Sequence, residues 1–240
     1  MARFVKKTPK SELSDNGPFT LYYPHTEKHK KKERDYIQFF SVDPAKINFC
    51  IRVERRYNFG KIVPIAFDKT AVEESFMKNY NGVNIVTSKT YENINTFLDK
   101  YSEFFEDCDY FIVERQLPIN YKSTRISQHT ISYFCDKTKN MPLLPEIIEI
   151  CPRLKGKLLK VPKNINEKAL KAWTVSIARR ILKLRGDDFS IGVMDYFSKK
   201  QDDLADTVCQ IEAFCMYVGL PTTQGLVLKN EDVLVNFLFE

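Results

Sequence analysis

Glycine is scarce in this chain, at 8 of 240 residues. Neither G-x-x-x-x-G-K-[ST] nor G-x-G-x-x-G occurs, so the loops that cradle nucleotide phosphates are absent and no nucleotide cofactor is expected. Histidine is scarcer still, with three residues, and the six cysteines never stand in C-x-x-C spacing. A zinc site built on paired cysteines is therefore not expected. No apolar run approaches the roughly 20 residues that span a bilayer. The start of the chain carries no secretory leader pattern, and the cysteines sit in apolar contexts. Together these point to an intracellular, reducing compartment with buried free thiols. No internal repeat is evident.

What remains is a basic, aromatic-rich sequence. Hydrophobic residues make up 43% and aromatics 13%. That is enough for one sizeable core. The net charge of +6 and pI of about 8.9 favour a polyanionic partner. Residues 1–34 read as a basic arm with a short ordered piece near Phe19–Tyr23, residues 35–220 as the folded domain, and residues 221–240 as an extension. Within the domain, period-two patterns predict strands over Tyr36–Asp43, Ile47–Arg56 and Lys61–Phe67, joined as a meander. Further strands are predicted at Tyr110–Glu114 and Glu146–Ile150. Amphipathic spacing predicts helices near Tyr91–Phe105, Thr124–Cys135, Glu167–Arg185 and Asp202–Tyr217. Trp173 falls on the apolar stripe of the third helix and is expected in the core; the tail after Pro221 fits a small strand or helix. Three leading strands followed by alternating helices and strands predict an α/β fold with a mixed five-stranded sheet and helices on both faces.

Carboxylates stand where this architecture makes them costly. Asp43 closes the run Tyr36–Val42, and Glu114 closes Tyr110–Val113. A carboxylate ending a buried strand needs cationic compensation. Asp202, Asp203 and Asp206 lie near the start of the last helix, with Asp203 and Asp206 on one face. Each has an ordinary reading alone: Asp43 as a turn former before Pro44, Glu114 as a surface partner of Arg115, Asp202 and Asp203 as favourable charges in a first helical turn. Taken together, carboxylates from three separate elements can converge at the rim of the sheet. They would repel unless cations intervened, and two Mg²⁺ ions are the standard solution where a phosphodiester is cut.

Three segments carry a resemblance. Ser41-Val42-Asp43-Pro44-Ala45-Lys46-Ile47-Asn48, Ile112-Val113-Glu114-Arg115-Gln116 and Lys199-Lys200-Gln201-Asp202-Asp203-Leu204-Ala205-Asp206 are similar, in order, to the signature blocks of RuvC-like Holliday junction resolvases, in the form found in poxviruses and other large DNA viruses. The resemblance covers about residues 36–217. It implies an RNase H-like fold, a homodimer, and cleavage of four-way DNA junctions with Mg²⁺ or Mn²⁺. It assigns the metal ligands to Asp43, Glu114, Asp203 and Asp206, and it implies a viral protein working in the host-cell cytoplasm or a viral factory. Two departures are visible: Ala45 stands where the family usually has glycine, and Gln201 is inserted before the aspartates, leaving Asp202 a rival to Asp203.

Basic residues near these blocks are candidates for phosphate neutralisation: Lys199 and Lys200 before the acidic helix, Arg115, Lys122 and Arg125 after Glu114, and Lys155, Lys157, Lys160 and Lys163 in a segment read as a loop. Branched DNA is thus the expected partner, with no membrane contact. An RNase H-type or transposase-like nuclease, and a non-catalytic basic DNA-binding protein on the same fold, are the competing readings.

Overall fold

The computed structural model describes residues 18–22, 34–73, 85–142 and 144–228. Most of the expected basic arm, including Lys6, Lys7, Lys10 and Lys30, Lys31 and Lys32, lies outside them. Six strands form one mixed sheet: β1 (Phe19–Leu21), β2 (Tyr36–Asp43), β3 (Phe49–Tyr57), β4 (Ile62–Thr70), β5 (Tyr110–Glu114) and β6 (Glu146–Ile150). Their order is β1-β6-β5-β2-β3-β4. The meander β2–β3–β4 is antiparallel, as its turn residues predict. Strand β5 lies parallel to both β2 and β6. The sheet thus has six strands where five are expected. The extra one is β1, inside the expected arm, which pairs antiparallel with β6 through Phe19–Ile150 and Leu21–Ile148. A three-residue edge strand is too short to show a period.

The helices are α1 (Ser88–Asp99), α2 (Tyr121–Thr138), α3 (Pro152–Leu158), α4 (Glu167–Arg185), α5 (Asp188–Tyr196) and α6 (Gln201–Val218). Local chemistry sets several of their ends. Asn120 and Asn166 cap α2 and α4 by accepting from Ser123 and Ala169 backbone N–H groups. Gly186 and Gly219 end α4 and α6 at positive φ, where a side chain is disfavoured. Helix α1 ends at Asp99, before Phe105, and a 3₁₀ turn over Ser102–Phe104 follows. Helices α3 and α5 are additions to the expected set. Pro152 opens α3 at a position that needs no N–H, and Asp187 caps α5. Among residues 221–228 there is neither strand nor helix.

Strand alternation sorts the sheet into two faces. Phe40, Val42, Ile51, Val53, Phe111 and Val113 share a core with residues of α1 and α2, such as Ile94 and Phe134. Residues 39, 41 and 43 of β2 and 110, 112 and 114 of β5 point to the other face by the same alternation. There Phe39, Tyr110 and Ile112 pack on Ile211 and Phe214 of α6. Helix α6 is buried almost all round, because α4 covers its far side through Trp173, Ile177 and Ile181.

This second face also carries charge. Arg52, Glu54 and Arg56 of β3 are fully buried. Arg52 pairs with Glu54 and Asp187, Arg56 with Glu54 and Glu212, and Arg185 with Glu54 and Glu212, at 2.6–2.9 Å. Three arginines meet three carboxylates, so the cluster is neutral. The segment after α6 joins it: Arg56 donates to the Pro221 carbonyl, and the Thr223 N–H to Glu212.

Candidate active site

Asp43 and Glu114 end two adjacent parallel strands. The register pairs Val42 with Val113, so the next step sets the two acids side by side. Both belong to the face covered by α6, and they are 5% and 8% exposed. Helix α6 brings the third acid. Gln210, one turn beyond Asp206, accepts a 3.0 Å hydrogen bond from Ser41 of β2 and fixes the helix over the strand. Asp43, Glu114 and Asp206 can each offer an oxygen such that all three lie within 4.8 Å of one another.

The cation among them is Lys155 of α3, itself 8% exposed. Its Nζ lies 2.7 Å from Glu114 Oε1 and 2.5 Å from Asp206 Oδ1. Burial works against its charge, but Asp206 and Glu114 more than offset this and raise its pKa. One ammonium does not balance the acids. Burial, with Glu114 and Asp206 beside it, pushes the Asp43 carboxyl well above the usual range. Burial lifts Asp206 to about 7 against the opposing pull of Lys155. Burial and neighbouring Asp202 lift Asp203 to about 6. The Asp203 Oδ2 atom is buried and has no hydrogen-bond partner among the described residues. Asp202, by contrast, lies 3.7 Å from the Lys171 ammonium.

These residues fit a hard divalent cation. The donors are carboxylate oxygens, which suit Mg²⁺ or Mn²⁺; the cluster is under-neutralised, and one buried oxygen is unpaired. Asp43, Glu114 and Asp206 could hold one ion, and Asp203 stands close enough to raise the pKa of both aspartates.

The acids line a cleft of about 690 Å³. Gln116, Asn120 and Ser123 line it after β5, and α3, the turn after it and α4 add Pro152, Val161, Leu170 and Trp173, with Arg153, Lys157 and Lys171 among the basic residues. Of the predicted basic residues, Lys155 and Lys157 reach this cleft; the segment read as their loop is the helix α3. Lys199 and Lys200 adjoin the start of α6 with exposed side chains. Their carbonyls accept from Lys69 Nζ at 2.9 and 3.3 Å, which holds Lys200 at φ 59° as it enters the helix. Arg115 is tied to Glu149 and Thr20, Lys122 to Glu73, and Lys160 to the Leu228 carbonyl. Arg125 is exposed on α2 and does not line the cleft. Sequence reading missed Arg153, Lys171 and the place of Trp173. A signal for Lys171 existed: Glu167, Leu170, Lys171 and Thr174 all line the cleft at helical i, i+3, i+4, i+7 spacing.

No family model matches this chain. It is 32% identical over 123 residues to uncharacterized protein 97L of invertebrate iridescent virus 3, covering 49% of this chain and 53% of the relative. It is 28% identical over 144 residues to uncharacterized protein 170L of invertebrate iridescent virus 6, covering 52% and 57%. The matched stretch is thus little more than half the length of either relative. Among solved structures, the yeast mitochondrial Holliday junction resolvase Ydc2 superposes with a TM-score of 0.55 at 11% identity, over 78% of this chain and 83% of its own. At that identity the likeness is one of fold. The chain has the RNase H-like architecture that the sequence resemblance implies, with β1 as a sixth strand. Among the described residues no helix is long and apolar enough to cross a membrane.

Proposed function

We propose that this protein is a divalent-metal-dependent endonuclease that cleaves four-way DNA junctions as a two-fold dimer. The observation that carries the reading is the convergence of Asp43, Glu114 and Asp206, from three separate elements, on a resolvase-like fold. Asp203 completes the ligand set in preference to Asp202: Asp203 has the unpaired buried oxygen, whereas Asp202 already faces Lys171. These four acids would hold Mg²⁺, two ions in this reading and with Mn²⁺ as substitute, and the metal would supply Lewis acidity for phosphodiester hydrolysis. The chain's own residues do the rest. The carboxylates fix the site, Lys155 holds Glu114 and Asp206 together, and Arg153, Lys157, Lys199 and Lys200 offer charge to phosphates. Symmetric cutting of a four-way junction calls for two sites related by a two-fold axis, hence a dimer. The stretch of residues 1–34, apart from β1, acts as a basic arm, and the protein works in the host-cell cytoplasm or a viral factory, as its viral relatives suggest.

The test is cleavage of a synthetic four-way junction, a linear duplex and an RNA–DNA hybrid with Mg²⁺. Paired, symmetric nicks confined to the junction support the reading. Preference for the hybrid moves the assignment to an RNase H-type nuclease, and binding without any cleavage moves it to a non-catalytic DNA-binding protein.

A further inference from the structure

Helix α6 begins without the usual chemistry. Lys200 stands at its N-cap, its side chain makes no capping hydrogen bond, and the backbone there is left-handed, with φ 59° and ψ 50°. That conformation disfavours any residue with a Cβ. An N-cap is ordinarily extended, and its own side-chain oxygen closes the first turn. Here the start of the helix is held by a residue of β4. Lys69 donates to the Lys199 and Lys200 carbonyls at 2.9 and 3.3 Å, and its Nζ lies 4.9 Å from the centre of the Phe197 ring. The strand register explains how it reaches them. Asp43 pairs with Cys50, and Cys50 with Lys69, so the three lie in one row across β2, β3 and β4. Directly opposed residues share a face, so Lys69 stands on the acidic face, level with Asp43 and roughly 10 Å away across two strand spacings.

Asp203 follows Lys200 by three residues, within the first turn of α6. Its Oδ2 atom is buried and unpaired, so the direction of that carboxylate depends on how the turn is set. Asp206, one turn further on, is anchored separately by Lys155. We infer that Lys69 is a positioning residue for the metal site: by holding Lys200 left-handed it sets the first turn of α6, and so presents Asp203 as a ligand beside Asp43, Glu114 and Asp206. The inference rests on the metal-site reading above and deepens it. Backbone strain kept in place by surrounding contacts is a recurrent feature of functional sites. Gln201 ties the helix start a second time, donating to the Met194 carbonyl and accepting from Arg179, so loss of Lys69 should relax the turn without unravelling the helix. Charge alone makes the opposite forecast. Burial and Asp202 raise the Asp203 carboxyl, and Lys200 and Lys69 oppose the rise. A nearby ammonium repels a divalent cation, so removing Lys69 for its charge only would tighten metal binding.

Mn²⁺ binding by the full chain without DNA, followed through the electron paramagnetic resonance of free Mn²⁺, tests this apart from cleavage. Lys69→Met should weaken Mn²⁺ binding about tenfold, the low end for a residue that orients a metal ligand, while metal-free thermal unfolding stays cooperative. In that background Lys200→Gly, which adopts positive φ freely, should restore affinity to within about threefold, whereas Lys200→Ala, with the same loss of charge, should not. The effect of Lys69→Met should vanish in the Asp203→Asn background, which places it on that ligand. Lys200→Val and Lys200→Gly give a second comparison with β4 untouched, in case Lys69→Met does not fold. Valine resists the left-handed conformation and should lose affinity, and glycine should keep it. Mn²⁺ binding that is unchanged or tighter in Lys69→Met, or equal in the valine and glycine variants, overturns the role of Lys69 and leaves the metal site standing. A natural chain that binds no Mn²⁺ overturns both readings.

Discussion

Lys155 Nζ lies 2.7 Å from a carboxylate oxygen of Glu114, across 41 residues of sequence, in a setting where both side chains are buried. The pair joins the short helix α3 to the end of β5 and sets the charge balance of the acidic cluster. Removing the ammonium leaves buried carboxylates without compensation. Lys155→Met should therefore destabilise the metal-free protein by roughly 3–5 kcal/mol, the usual cost of breaking a buried pair. Mg²⁺ should recover more stability in this variant than in the natural chain. Thermal unfolding of both proteins with and without Mg²⁺ measures this, and an equal Mg²⁺ response would argue that Lys155 and the ion do not share the site.

The acids themselves give the next expectation. Asp43→Asn, Glu114→Gln and Asp206→Asn each remove one charge at nearly constant volume, so the fold should persist. Cleavage of a four-way junction at pH 8 should fall by more than about a hundredfold, since even supporting partners of metal ligands are worth 10–100-fold. Asp203→Asn should behave likewise. Asp202→Asn should be milder, because Asp202 is already engaged by Lys171. Junction binding in EDTA should be unchanged or tighter, because repulsion with phosphate is lower. Full activity in Glu114→Gln would remove the basis for the metal site.

Much of this arrangement is legible in sequence, and the missing parts have physical reasons. Asp43 and Glu114 end long apolar runs, so their costly position shows without coordinates. Glu167–Arg185 appears as predicted because nineteen residues give a clear stripe. Helix α3 has seven residues, including Gly156, Lys155 and Lys157, and it reads as a solvated loop. Only tertiary contact with Glu114 and Asp206 turns Lys155 inward. Trp173 reads as core and is buried, yet it also lines the cleft, a fact that depends on where α3 packs.

The neutral cluster of Arg52, Glu54, Arg56, Arg185, Asp187 and Glu212 should be less forgiving than an apolar core of similar size. Glu212→Gln leaves Arg56 and Arg185 in excess on the same face as the acids. A loss of roughly 3–5 kcal/mol is expected in urea unfolding. Arg185→Met in the Glu212→Gln background should return part of it, since it removes one unpaired cation. No recovery in the double variant would show that the pair does not act through charge balance.

The arm should add affinity without shape selectivity. Because β1 belongs to the sheet, the cut that leaves the fold intact is deletion of residues 1–17. This removes Arg3, Lys6, Lys7 and Lys10 and should make the log–log salt dependence of junction binding shallower by up to about four. Preference for junction over duplex should remain. A deletion that erased that preference would place the arm in the recognition surface.

Acidity should act on the two halves of this face in opposite directions. Arginines hold Glu54 and Glu212 below their ordinary pKa. Depressed folded values give stability that is present above the unfolded pKa of about 4.3 and lost as pH falls through the folded values. Asp203 and Asp206 are raised, to about 6 and about 7, chiefly by burial. For raised acids the stabilising contribution is complete below an unfolded pKa of about 3.9 and is lost as pH rises through the folded values. The metal-free protein should thus be most stable near pH 5 and weaken toward pH 8. Metal ligation requires the ionised carboxylates, so the rise in melting temperature on adding Mg²⁺ should be larger at pH 8 than at pH 5.5. In Asp206→Asn the pH-dependent weakening and most of the Mg²⁺ response should both shrink. A Mg²⁺ effect independent of pH, or undiminished in that variant, would separate the acidic cluster from metal binding.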